Sequence, residues 1–108
     1  MSATGVYRVL LRMQVVPGKE EQFERAWHDG ARTIAEEPAN VGQWLSRSDA
    51  EAGVYYIVSD WVDERSFRAY EISERHRQHR ARLHPYRSTG SMTTMTIVDT
   101  AAGRGALI

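Results

Sequence analysis

Three histidines fall within twelve residues, His76, His79 and His84 in RHRQHRARLHPY. Imidazole changes charge near neutrality, so a histidine facing a pocket can take or give a proton. His76 and His79, three residues apart, share one face of a helix. Read without a pocket, the same run is a solvated basic helix. Arg12 is the second group with chemistry in it. It stands in the middle of a strand, behind a fully apolar row, so it must line a cavity or pair with a carboxylate. In a cavity its charge would stabilise an anionic oxygen and lower the pKa of the group carrying it. Trp44, Tyr56, Trp61, Phe67 and Tyr70 offer flat stacking surface, although aromatics at these spacings also build ordinary core, as Trp27 is expected to do. The chain has no cysteine, which excludes a thiolate metal site, a cysteine nucleophile and a disulfide framework. It has no H-E-x-x-H spacing to seed a zinc site.

These groups need elements to hold them. Tyr7, Val9, Leu11, Met13 and Val15 alternate over residues 6–16, a first strand with Arg8, Arg12 and Gln14 on its other face. Phe23, Ala26, Trp27, Gly30, Ala31, Ile34 and Ala35 recur at helical steps, and Pro38 follows as a stop. Residues 41–47 read as a short strand, 48–53 as a hairpin loop, and 54–62 as a strand buried on both faces. Asp63 is placed to cap a helix from residue 64 to about 72, with Val62 and Phe67 at the positions of a hydrophobic staple. Ser73 caps a further helical segment to about residue 83, ended by His84-Pro85-Tyr86. Residues 91–98 alternate Thr with Met, Ile and Val as a fourth strand. The order is β-α-β-β-α-β, the ferredoxin-like arrangement: an α+β fold in which helices cover one face of a four-stranded antiparallel sheet. Residues 1–5 are expected to be a tail and 6–98 the domain. Residues 99–108 are expected to be mobile or laid on a partner. Several strands are apolar on both faces, which implies a homodimer with two sheets packed face to face.

Bulk properties narrow the partners. At 108 residues the chain makes one domain, and formal net charge is zero, so no global field draws it to nucleic acid or an anionic membrane. Arg75, Arg77, Arg80 and Arg82 could meet phosphates or an acidic protein, yet the strands lack the glycine–aromatic pattern of an RNA-recognition sheet. No apolar run approaches the roughly 20 residues of a membrane span. The start MSATGVYR lacks a signal-peptide layout, so the expected location is the cytoplasm.

Length, element order, the W-x5-F-x2-Y run of Trp61, Phe67 and Tyr70, and VVPGKEEQFERAW at residues 15–27 resemble the antibiotic biosynthesis monooxygenase superfamily of dimeric α+β barrels. The resemblance covers roughly residues 6–98. It implies oxygenation of an aromatic polyketide intermediate of the anthrone type to a quinone. Dioxygen would be the co-substrate, with no metal or bound cofactor, because the deprotonated substrate is itself the reductant. On this reading Trp61, Tyr70, Tyr56, Phe67, Trp44 and His84 bind substrate. Arg12 holds the enolate oxygen, and His79 or His76 moves protons; the resemblance places a histidine near His79 in some such oxygenases. Several quinone-forming members carry asparagine where this chain has Arg12 or Ile57. Two other readings share the fold: a polyketide cyclase working by aldol chemistry, and an oxygenase using diffusible reduced flavin.

Overall fold

A computed structural model describes residues 5–107. Strand β1 (Tyr7–Val15) leads into helix α1 (Glu20–Ile34), then β2 (Asn40–Arg47) and β3 (Val54–Trp61). Helices α2 (Glu64–Glu71) and α3 (Glu74–Leu83) follow, and after a 3-10 turn at His84–Tyr86 the chain closes with β4 (Arg87–Thr96). The strands lie in the order β2-β3-β1-β4, and each pair is antiparallel. This is the expected ferredoxin-like α+β fold.

Strand parity decides what each face carries. Tyr7, Val9, Leu11 and Met13 pair with Trp61, Ser59, Ile57 and Tyr55, and this row faces the helices. The helices close over it through Phe23, Ile34, Phe67, Tyr70 and Leu83, which complete two adjoining apolar clusters. The opposite face presents Arg8, Leu10, Arg12 and Gln14 beside Asp60, Val58, Tyr56 and Val54. Arg8 grips Asp60 there with two bonds of 2.8 Å, so a carboxylate only 4% exposed keeps its charge partner.

Both helix starts expected from the sequence are capped as expected. The Asp63 carboxylate accepts from the Ser66 amide, and the Ser73 hydroxyl accepts from that of His76. Hydrogen bonds from the Ser66 amide and hydroxyl, with the nearby charge of Arg65, hold the Asp63 carboxyl below its usual range. Val62 follows Trp61 out of the sheet and stays half exposed, while Phe67 packs on Trp61 and Tyr7. β4 begins four residues earlier than the Thr alternation suggests. Its Ser-Thr-Gly stretch has loop composition, yet backbone pairing to Gln14 and Val15 of β1 draws it into the sheet across a bulge. In the tail a 3-10 turn spans Arg104–Leu107, and its described side chains are exposed.

Candidate active site between the sheet and the helices

A cavity of about 270 Å³ opens between the helix-facing row of the sheet and the helices α2 and α3. Val9, Leu11 and Met13 of β1 and Ile57 of β3 form its floor. These are the alternate residues that strand parity sends to the helix side. Trp61 closes one end. It is 1% exposed, and its indole N–H donates to the Ser59 hydroxyl at 3.1 Å, so the ring stands in a satisfied, fixed position. Tyr70 stacks on Trp61 with ring centroids 4.7 Å apart and planes 27° apart, and Phe67 tilts against the same indole at 5.8 Å. Three aromatics spaced for a strand end and one helix face thus make one wall.

The polar groups of this cavity come from the other side. His76 stands edge-on to Tyr70, 5.0 Å between centroids, with its Nδ1 2.7 Å from the Glu71 carbonyl oxygen. A carbonyl can only accept, so Nδ1 carries the proton and Nε2 presents a lone pair. Burial lowers the pKa of His76, partly offset by that carbonyl. His79, one turn on, is pushed down to about 4, chiefly by burial and then by the charge of Arg82. Both imidazoles are therefore neutral at pH 7. The Tyr70 hydroxyl is raised well above its ordinary pKa of 10 by burial and the nearby Glu37 carboxylate, so it stays protonated. Neither the Tyr70 hydroxyl nor His79 Nδ1 has a hydrogen-bond partner, although both atoms are buried. Such atoms normally find partners in a finished core, and a bare one calls for a reason.

The structure brings Trp61, Phe67, Tyr70, His76 and His79 to this one cavity. It does not bring Arg12, Tyr56, Trp44 or His84 there. Arg12 and Tyr56 pair across β1 and β3 on the opposite face, and the Arg12 guanidinium bonds the Glu51 carboxylate at 2.7 Å. Of the two expectations for Arg12, a cavity group or a carboxylate partner, the structure shows the second: residue 12 has the parity of the open face, and its charge is paired with Glu51. Trp44 also lies on the open face, half exposed, with the Arg8 guanidinium 5.9 Å above its ring. His84 caps the C-terminus of α3 and is exposed. Ile57 is buried in the cavity floor with no polar side-chain atom to offer.

Gln43 and Ser59 line the cavity without having been singled out from the sequence. Their signal is parity alone: Gln43 pairs with Ser59, and both share the face of Trp61. The Gln43 amide donates to the Ala31 carbonyl at 3.0 Å, which leaves its oxygen free to accept.

The family model described as antibiotic biosynthesis monooxygenase matches residues 6–82. Among solved structures, one from Caulobacter crescentus, provisionally assigned as an antibiotic biosynthesis monooxygenase, superposes with a TM-score of 0.80. It is 22% identical, covering 91% of this chain and 94% of that one. SnoaB, a cofactor-independent oxygenase from Streptomyces nogalater, gives 0.79 at 22% identity over 90% of this chain and 97% of its own. A conserved protein from Methanosarcina mazei gives 0.79 at 15% identity, covering 87% and 94%. At these identities the three share the fold. No curated protein matches the sequence.

Proposed function

Because the chain belongs to the antibiotic biosynthesis monooxygenase family and is a monooxygenase by class, we propose that it oxygenates a flat aromatic polyketide intermediate of the anthrone type to a quinone, with dioxygen and no bound cofactor. The observation that carries this reading is the pairing of an aromatic-walled, apolar cavity with the imidazoles of His76 and His79 in its lining. The likeness to SnoaB, a cofactor-independent oxygenase, supports it.

The chemistry asks little more. An anthrone lies against Trp61 and Tyr70, and His76 Nε2 takes a proton from its benzylic carbon. The neutral form of His76 is weakly basic in an apolar site. The enolate formed beside it restores that basicity, since an anion nearby favours the imidazolium. The Tyr70 hydroxyl is the donor left to stabilise the enolate oxygen. The enolate gives one electron to dioxygen, and the radical pair joins as a peroxide on the same carbon. Loss of the second benzylic proton and cleavage of the O–O bond give the carbonyl. One oxygen atom stays on carbon, and the other leaves as water with both protons. His79 supplies the second proton transfer. All four electrons come from the methylene carbon, so no external reductant is needed.

The same proposal includes a homodimer. The open face exposes Trp44 and Met95 beside half-buried Leu10 and Val58, an apolar surface suited to a second copy, and sedimentation velocity measures it. No helix among the described residues is long and apolar enough to cross a membrane, and a cytoplasmic location fits the cysteine-free composition.

The test is dioxygen uptake by chelator-treated, flavin-free protein given a tricyclic anthrone, with quinone absorbance followed alongside. One dioxygen per quinone, above the spontaneous rate, is expected, and Arg12→Ala should keep that rate. Uptake that begins only with reduced flavin overturns the cofactor-free part. No uptake under either condition overturns the oxygenase reading.

A further inference from the structure

His79 reaches the cavity because of a residue on another helix. Gly30 lies inside α1, is buried, and belongs to the poorest helix-forming type after proline. A Cβ at this position would lie 1.9 Å from His79 Nδ1 and 2.4 Å from its Cε1. The third nearest atom, 3.2 Å away, is a guanidinium nitrogen of Arg82. All three belong to side chains of α3, so the glycine is not there to let two backbones touch. The imidazole occupies the volume that any other side chain at residue 30 would fill. With Nδ1 set against α1, Nε2 is the atom left to exchange a proton with a ligand.

We propose that Gly30 is the positioning residue for His79, its missing side chain forming the notch that holds the imidazole at the cavity instead of among the exposed side chains of α3. The consequence for catalysis rests on the oxygenase reading, in which His79 carries a proton; the placement itself does not. The charges that act on the ring are those of Arg82 and His76 on α3, and Glu71 of α2, Arg80 of α3 and Arg87 of β4 line the same cavity. A substitution at Gly30 therefore changes where the ring sits, and with it both its burial and its distance from those charges.

Gly30→Ala tests this by NMR titration of the histidine Cε1 protons, with His79→Gln assigning the resonance. In the native protein His79 should titrate near pH 4. In Gly30→Ala the displaced ring should titrate near 6.5, the value of a free imidazole. With an anthrone, kcat should fall about tenfold or more while KM changes by less than about twofold, since the apolar walls stay in place. A His79 midpoint unchanged in Gly30→Ala overturns the proposal. If Gly30→Ala does not fold, Gly30→Ala/His79→Ala decides. Removing the ring should restore folding, because alanine is then the better helix residue. A double variant that still fails to fold would show that Gly30 serves general packing, and the proposal would be wrong. The titration needs no turnover, so a protein that never consumes dioxygen can still confirm or refute the placement of His79.

Discussion

Acid should destabilise this protein through His79, and the size of the effect follows from its burial. The folded protein holds His79 neutral down to about pH 4, whereas an unfolded chain protonates it near 6.5. Above 6.5 both states are neutral at this site, and it contributes no pH dependence. As pH falls from 6.5 to 4 the unfolded state binds a proton that the folded state refuses, so stability drops across that window. Below 4 both states are protonated and the loss levels off. At about 1.4 kcal/mol per pH unit, a window of roughly two and a half units gives about 3 kcal/mol. Urea unfolding at half-unit steps from pH 7.5 to 3.5 measures this in the native protein and in His79→Gln, which cannot titrate. Subtracting the two profiles removes the carboxylates, which titrate alike in both. The difference should be flat above pH 7 and should move by about 3 kcal/mol in favour of the variant by pH 4. Parallel profiles would mean that His79 is solvated in the native fold. They would also remove it from the cavity.

Two further substitutions separate site from scaffold. Tyr70→Phe deletes a buried hydroxyl without a partner and keeps the ring stacked on Trp61. Thermal melting should show stability unchanged or raised by about 1 kcal/mol, while anthrone turnover falls; a clear loss of stability would show that the hydroxyl is bonded within the protein. Asp60→Ala strands the Arg8 guanidinium that now makes two 2.8 Å bonds. Breaking a fully buried pair costs about 3–5 kcal/mol. Arg8 is about a third exposed and water can reach it, so about 2 kcal/mol is expected in denaturant unfolding. An effect near zero would mean that water replaces Asp60 completely.

The fold was legible because its signals are local. Alternation in β1, the caps Asp63 and Ser73, and Pro38 after α1 each act within a few residues, and together they leave one topology. Half of the site was legible for the same reason: Trp61, Phe67 and Tyr70 lie on one strand end and one helix face, and His76 and His79 share a turn of α3. Arg12 was misplaced although its parity was visible. Alternation puts it opposite Tyr7, Val9 and Leu11, and those residues face the helices with the cavity between. What alternation does not say is which of two apolar-looking faces the helices cover, nor that Glu51, thirty-nine positions away, supplies the carboxylate. Trp44 and Tyr56 share that face. Gly30 was read as one more small residue in a helical stripe. Its meaning depends on a ring from α3, and no pattern within α1 encodes that contact.

The costs in this structure are not spread evenly. A glycine in the interior of α1 gives up about 1 kcal/mol of helix stability against alanine. An unpartnered buried hydroxyl at Tyr70 costs on the order of 1–3 kcal/mol. An imidazole kept from protonating makes the protein acid-sensitive. Two of them have a simple remedy in a single substitution, Tyr70→Phe and His79→Gln, whereas Gly30→Ala gains helix stability only once the His79 ring is gone. All three lie on or against one cavity, and two of them, Gly30 and His79, are the same contact seen from its two sides. Elsewhere the polar groups of the described residues are handled economically, with Asp60 on Arg8, Trp61 on Ser59 and both helix starts capped, the Trp27 indole N–H being the exception. A chain selected for stability alone would have removed these local conflicts. Their concentration at one cavity is what a site looks like when neutral, poised proton carriers must face a dry aromatic pocket. It predicts that Tyr70→Phe and, in acid, His79→Gln hold or raise stability while lowering turnover.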